Sequence, residues 1–190
     1  MATYEIANTE VLHEGRRSLL ALTVKQPNGE RMVREVLESP PAAAVLPYDE
    51  ARRTAFLVRQ FRAPVLRAGG PSSVLEAIAG IVDPGETAEE GIRREAMEEA
   101  GLRLSRLEPL GAFWASPGYS TERVHLFLAP CSAADRTGEG GGLAEEQEEI
   151  TLCETRLADL AGMMAQGTIA DMKTLALVQA LVLRRGELFR

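Results

Sequence analysis

Short apolar runs broken by turn residues fill the first forty positions. Leu19 to Lys25 is one apolar stretch, Pro27-Asn28-Gly29 is a turn signal, and Met32 to Leu37 resumes the pattern. Residues 3–39 therefore read as strands joined by turns. Ser39-Pro40-Pro41 ends the segment, because two prolines cannot continue a strand ladder. The expected organisation is an N-terminal strand segment, 1–40, and a main domain, 41–190.

In the main domain, Ala42 to Tyr48 and Ala55 to Phe61 read as a hairpin around Asp49-Glu50-Ala51-Arg52-Arg53. Ala68 to Ser73 reads as a loop and Val74 to Ala79 as one short strand. Leu107 to Ala115, Val124 to Ala129 and Ile150 to Glu154 are further strands. Helices are expected over Thr87 to Ala100, Leu157 to Gln166 and Met172 to Arg185, the last with an apolar face of Leu175, Val178, Leu181 and Val182. Strands interleaved with few helices predict a mixed α+β sandwich rather than a βαβ repeat. Met163 and Met164 read as core packing, Phe113 and Trp114 as core packing ahead of the alternative of lining a site, and His125 as a strand residue rather than a ligand.

Ser132 to Gln147 lacks periodicity and contains Gly138-Glu-Gly-Gly-Gly142. Loops this long are uncommon in compact domains and are often functional. Its glycines predict mobility, able to bring Glu145, Glu146, Glu148 or Glu149 to a site.

Composition narrows the class. The 190 residues amount to one domain, and 45% apolar with 26% charged residues describes a folded chain. No apolar run approaches the ~20 residues of a membrane span, and the start, Met1-Ala-Thr-Tyr-Glu-Ile, has no secretory pattern. Cys131 and Cys153 form no CxxC, which excludes a cysteine zinc site and fits a reducing cytoplasm. A net charge of −7 argues against general nucleic-acid binding. It leaves room for a small phosphate ligand bridged to acidic residues by divalent cations.

The chemistry concentrates between Gly80 and Leu102. Asp83-Pro84-Gly85 is a turn, Thr87 and Glu90 make a capping box, and Gly101 suits the position just past a helix. On that helix Glu95, Glu98 and Glu99 share an arc of roughly 100°. Like charges so spaced repel by a few tenths of a kcal/mol per pair, so folding alone does not favour them. Hard oxygen ligands on a rigid element suit Mg²⁺ or Mn²⁺. A solvated acidic face is the alternative.

The segment resembles the Nudix box, G-x5-E-x7-R-E-U-x-E-E-x-G-U, with U apolar. Gly80, Glu86, Arg94, Glu95, Glu98, Glu99 and Gly101 fill its fixed positions. Seven such matches arise by chance about once in a billion start positions, far rarer than a lone glycine motif. The resemblance to Nudix hydrolases extends over nearly the whole chain. Arg59-Gln60-Phe61-Arg62 is similar to the strand preceding the box in nucleoside diphosphate sugar hydrolases. Pro117 of Ser116-Pro117-Gly118 lies sixteen residues after Gly101, as in the ADP-ribose pyrophosphatase group. Arg34-Glu35 resembles the pair that group uses near the nucleobase. Gly140 to Gly142, and Gly167 to Thr174, resemble segments of GDP-mannose hydrolases.

The resemblance implies a Nudix α/β/α sandwich with a mixed sheet. The small N-terminal sheet would support a homodimer, with Glu122, Arg34 and Glu35 acting across its interface. It implies Mg²⁺-dependent attack of water on the diphosphate of a nucleoside diphosphate sugar, with two or three ions per site and Mn²⁺ as an alternative. ADP-ribose, giving AMP and ribose 5-phosphate, stands first because of Pro117. GDP-mannose, giving GMP and mannose 1-phosphate, stands second because of the triple glycine and Lys173. Glu95 and Glu99 would be metal ligands, Glu98 would serve a further metal, and the Ala79 carbonyl would join them. Glu148, or alternatively Glu146, would bind metal or take the proton of the water. Glu98 and Glu99 are counted with Glu148 as catalytic. Arg62 would hold a phosphate, as would Lys173 unless it is simply solvated. Gly80, Ile81, Pro117 and Gly118 would contact substrate. Glu86 and Arg94 would be a structural ion pair.

Two other classes remain open at this point. One is a non-catalytic Nudix module that senses a nucleotide sugar, although the box acids are intact and no DNA-binding domain accompanies them. The other is cleavage of dinucleoside polyphosphates or capped RNA, which calls for a basic groove. Neither cysteine lies near the box in sequence, unlike the catalytic thiol of the isopentenyl diphosphate isomerases, which share the fold.

Overall fold

The computed structural model describes residues 3–142 and 149–190. Its contacts gather into two units: Met1–Pro41 with Phe113–Val124, and Ala42–Ala112 with His125–Arg190.

The first unit is built on an antiparallel sheet of β1 (Glu5–Glu14), β2 (Ser18–Lys25) and β3 (Arg31–Glu38), in that order. The predicted turn at Gly29 is present. Its φ of 87° is one that glycine adopts without steric cost, and its N–H donates to Gln26 O at 2.9 Å. β2 and β3 stay in register from Ser18↔Glu38 to Lys25↔Arg31, whereas β1 carries two irregularities. Phe113–Val124 joins this unit by backbone pairing: Leu37 N donates to Tyr119 O at 2.7 Å and Thr121 N to Leu37 O at 3.1 Å. The stretch lies within the 41–190 segment expected as the main domain, and its long-range pairing leaves no local signature in the sequence. Phe113 and Trp114 are exposed rather than core, and the Arg123 guanidinium lies 5.1 Å from the Trp114 ring centroid.

The second unit contains β4 (Ala42–Asp49), β5 (Thr54–Phe61), α1 (Ala63–Arg67), β6 (Ser73–Glu76), β7 (Ile78–Ile81) and α2 (Ala88–Ala100). After these come β8 (Glu108–Trp114) as far as Ala112, β9 (Arg123–Pro130) from His125 onward, β10 (Ile150–Arg156), α3 (Leu157–Gln166) and α4 (Met172–Arg185). The mixed sheet runs β10-β5-β4-β9-β8, with β6 on β5 and β7 on β4. β4 and β5 pair only near their turn, at Tyr48↔Ala55 and Asp49↔Thr54. Beyond that they part, β5 taking β6 and β4 taking β7. The single strand expected over Val74–Ala79 is therefore two, broken at Ala77, whose N–H goes to Thr174 Oγ1 at 2.7 Å. α1 is a helix that sequence analysis missed, because five residues show no periodicity.

Strand alternation divides the core into two layers. Ala43, Val45, Phe56 and Val58 pack with Ile92, Ala96 and Ala100 of α2. On the other face, Leu57 shares the wall of a small pocket with Leu160 and Met163 of α3 and Thr174 of α4. This is the expected α/β/α layering. The buried stripe of α4 is Thr174, Leu177, Val178 and Leu181, so it is rotated from the predicted one, and Leu175 and Val182 are half-buried. Among the described residues no helix is long and apolar enough to cross a membrane.

Candidate active site

α2 starts and stops where its sequence dictates. Thr87 Oγ1 accepts from Glu90 N at 3.2 Å, and Glu90 Oε2 accepts from Thr87 N at 2.8 Å, closing the capping box. Gly101 ends the helix at φ 65°. Between these caps Ile92, Ala96, Glu99 and Ala100 are buried, while Glu95 and Glu98 are half-buried on the adjoining face.

Arg94 gathers the acids around it. Its Nε donates to Glu86 Oε1 at 3.1 Å, and its Nη1 to Glu95 Oε1 at 2.8 Å and Glu98 Oε2 at 3.1 Å. Its Nη2 donates to Ile81 O at 3.0 Å and Glu86 Oε2 at 3.2 Å. Glu86 also accepts from Asp83 N at 3.2 Å. Bonding to Glu86 raises the Arg94 pKa above the ordinary guanidinium value, and the Arg94 bond in turn holds Glu86 below the ordinary carboxylate value. Arg94 thus offsets the repulsion that three glutamates on one helical face create. It fixes the loop and the orientation of two predicted ligands.

Backbone geometry places the rest. Ala79 N donates to Glu99 Oε2 at 3.2 Å, which joins β7 to α2. A β-carbon on Gly80 would stand 1.9 Å from Glu95 Cδ, so the carboxylate lies directly over the glycine. The glycine run past the short 3-10 turn at Ala133–Asp135 is not a free tether. Thr137 N and Gly138 N donate to Gly101 O at 2.8 and 3.1 Å, Gly141 N to Glu99 O at 3.0 Å, and Gly142 N to Glu98 O at 3.1 Å. These bonds occupy the carbonyls that a helix C-terminus leaves without partners. Mobility expected of Gly138–Gly142 from composition is thus replaced by close packing against α2. Glu145, Glu146 and Glu148 lie outside the described residues, and Glu149 is exposed.

A second cluster adjoins the box. Arg62, at the N-cap of α1, donates from Nε to Glu76 Oε1 at 2.7 Å and from Nη2 to Glu76 Oε2 at 3.0 Å. Lys173 Nζ meets Glu76 Oε2 at 2.5 Å and Asp171 Oδ1 at 3.0 Å. Asp171 caps α4 by accepting from Thr174 N at 2.9 Å. Burial pushes the Glu76 carboxyl up, but the Arg62 bond and the Lys173 charge outweigh it and hold the pKa below the usual value. Burial likewise opposes the Arg62 charge, and Glu76, with Glu99 beyond it, overrides that effect. Sequence analysis missed Glu76 and Asp171. Their signals were a lone carboxylate inside the apolar Val74–Ala79 run and the Asp171-x-x-Thr174 cap spacing.

The second unit thus brings together Ala79, Gly80, Ile81, Glu86, Arg94, Glu95, Glu98 and Glu99, with Arg62 and Lys173 joined through Glu76. Glu148 and its alternative Glu146 lie outside the described residues, and the remaining predicted residues belong to the first unit. Arg34 and Glu35 are exposed on β3, with Arg34 Nη1 donating to Val33 O at 2.8 Å. Pro117 and Gly118 are exposed, and Glu122 is half-buried with its N–H on Ser120 Oγ at 3.1 Å. Cys131 and Cys153 are free thiols and half-buried, and burial pushes the Cys131 pKa up to about 12.

The donor set on α2 fits a hard divalent cation. It is carboxylate oxygen carried on a rigid helix, with the Ala79 carbonyl on the neighbouring β7, and Gly80 leaves space for Glu95. Among the described residues, the acidic, histidine and cysteine side chains do not converge in threes at ligand spacing, since Arg94 and Ala79 N hold the carboxylates.

The NUDIX domain family matches residues 38–175. The chain is 38% identical over 185 residues to a GDP-mannose pyrophosphatase of Cronobacter sakazakii, covering 95% of each. It is 39% identical over 164 residues to a GDP-mannose pyrophosphatase of Pectobacterium atrosepticum, covering 85% of this chain and 83% of that one. A crystal structure of an ADP compounds hydrolase shares the fold, with a TM-score of 0.75 over 96% of both chains at 23% identity. This chain belongs to the Nudix family.

Proposed function

We propose that this Nudix pyrophosphatase hydrolyses the diphosphate of GDP-mannose, giving GMP and mannose 1-phosphate. The observation that carries the reading is Lys173. It sits in the segment that resembles GDP-mannose hydrolases, and it is built into the Arg62–Glu76 cluster beside the box. Relatives that match along the whole chain and are named for GDP-mannose support the same substrate. They move it ahead of ADP-ribose, which Pro117 had placed first.

In this reading Glu95, Glu98 and Glu99, with the Ala79 carbonyl and Glu148, hold two or three Mg²⁺ ions. When bound, Mg²⁺ neutralises the diphosphate and acidifies a water molecule. Arg94 and Glu86 keep the ligand carboxylates oriented. Arg62 and Lys173 bind the non-bridging oxygens of a phosphate, Arg62 with a planar donor fork. Glu148 takes the proton of the attacking water. Arg34, Glu35, Gly80, Ile81, Pro117, Gly118 and Glu122 contribute substrate contacts. The three-stranded sheet supports a homodimer: every residue of β1 is exposed, including Ile6, Val11 and Leu12. The free thiols of Cys131 and Cys153 suit a reducing cytoplasm.

A panel of GDP-mannose, ADP-ribose, ADP-glucose and diadenosine polyphosphate, read by phosphatase-coupled phosphate release, tests the substrate. GDP-mannose is expected to give the highest kcat/KM. Preference for ADP-ribose would return the assignment to the Pro117 reading. Cleavage of none, with a raised melting temperature on adding GDP-mannose, would make the protein a sensing module.

A further inference from the structure

Glu76 has no role of its own in the proposed reaction, yet it lies at the centre of the second cluster and is buried, at 3% exposure. Both of its oxygens are engaged. Arg62 reaches it from the end of β5 with two parallel bonds, and Lys173 reaches it from the first turn of α4. Among the described residues Glu76 is the group that bonds both of these cations, which lie far apart in sequence. Arg62 then retains both Nη1 hydrogens and one on Nη2, and Lys173 retains one ammonium hydrogen, beyond those given to Glu76 and Asp171. The next residue, Ala77, is pinned to Thr174 Oγ1, so the strand bearing Glu76 and the helix bearing Lys173 are fastened twice. A flexible lysine and a long arginine would otherwise sample many rotamers, and ordering them at the moment of binding costs affinity.

The geometry points to Glu76 as a positioning residue: it locks Arg62 and Lys173 side by side into one preorganised two-cation grip for a substrate phosphate. The inference rests on the proposed diphosphate hydrolysis. Glu76 does not touch the phosphate. It acts by fixing the spacing of the two groups that do, so its removal is felt through them.

The test is a double-mutant cycle between Glu76→Gln and Lys173→Met, followed by KM and kcat for GDP-mannose and ADP-ribose. Glu76→Gln keeps the side-chain shape and leaves Arg62 and Lys173 able to reach water. If Lys173 works only when held by Glu76, Lys173→Met raises KM about tenfold in the wild-type background and less than about twofold beside Glu76→Gln. Glu76→Asp, which keeps the charge but shortens the reach, falls between. If Glu76→Gln does not fold, Glu76→Asp takes its place in the cycle. Additive effects, with Lys173→Met costing the same in both backgrounds, would make Glu76 merely structural and overturn the inference while leaving the hydrolase reading intact. A wild-type protein that cleaves neither substrate overturns both.

Discussion

The carboxylate of Glu95 lies directly over Gly80, where a β-carbon would stand 1.9 Å from its Cδ. The box glycine is therefore required by a side chain fifteen residues away in the chain rather than by its own backbone angles. Gly80→Ala must displace Glu95 from Arg94. A displacement of about 1 Å at a reacting site costs on the order of a hundredfold in rate. The expected outcome is that loss in kcat with a folded protein, measured by steady-state kinetics beside circular dichroism.

Arg94 bonds three carboxylates and one carbonyl, so its replacement releases several groups together. Arg94→Gln is expected to raise the Mg²⁺ concentration needed for half-maximal activity, because Glu95 and Glu98, the proposed ligands, lose their orientation. A loss of about ten- to a hundredfold in metal affinity is in keeping with removal of such an orienting group. Titration of activity against Mg²⁺ measures it.

Glycines of the predicted mobile loop are expected to behave as packing residues. Gly140 has φ 73°, and a β-carbon there would meet Glu99 O at 2.6 Å. Gly140→Ala should destabilise the fold by at least the ~1–2 kcal/mol of a left-handed alanine. Gly162, inside α3 with nothing within 4 Å, is the control. Alanine there should stabilise by about 0.5–1 kcal/mol. Urea unfolding of the two variants separates close packing from simple flexibility.

Local instructions were legible in the sequence and distant ones were not. Thr87, Glu90 and Gly101 bound α2 because capping depends on residues three or four apart. The acids of the box are equally local. The break at Ala77 was invisible because its cause, Thr174, is 97 residues away, and the Glu76–Lys173 contact spans the same distance. Trp114 read as core from its apolarity alone, yet it is exposed, with the Arg123 guanidinium over its ring. Gly138–Gly142 read as flexible because composition does not reveal which carbonyls its amides will meet.

The Glu76 carboxyl makes stability pH-dependent in a defined direction. Its folded pKa lies below the ordinary 4.5, so the unfolded chain binds the extra proton. The stabilisation is present above that ordinary value and is lost as pH falls through the folded pKa. The melting-temperature gap between wild type and Glu76→Gln is expected to be widest near pH 7 and to shrink on acidification toward pH 3. A gap that widens in acid would contradict the assignment of charge to Glu76, Arg62 and Lys173.

The most direct test of the hydrolytic centre is GDP-mannose cleavage by wild type and Glu99→Gln, with Mg²⁺ and after EDTA. Glutamine keeps an oxygen for Ala79 N, so folding is preserved and the melting temperature should hold. Removing a charge that serves a bound metal costs several kcal/mol of transition-state stabilisation, about a hundred- to a thousandfold in kcat. The predicted result is GMP and mannose 1-phosphate from wild type with Mg²⁺, near-complete loss with EDTA, and a loss of that size in Glu99→Gln. Full activity in Glu99→Gln, or in wild type freed of metal, would contradict the placement of the reaction on α2.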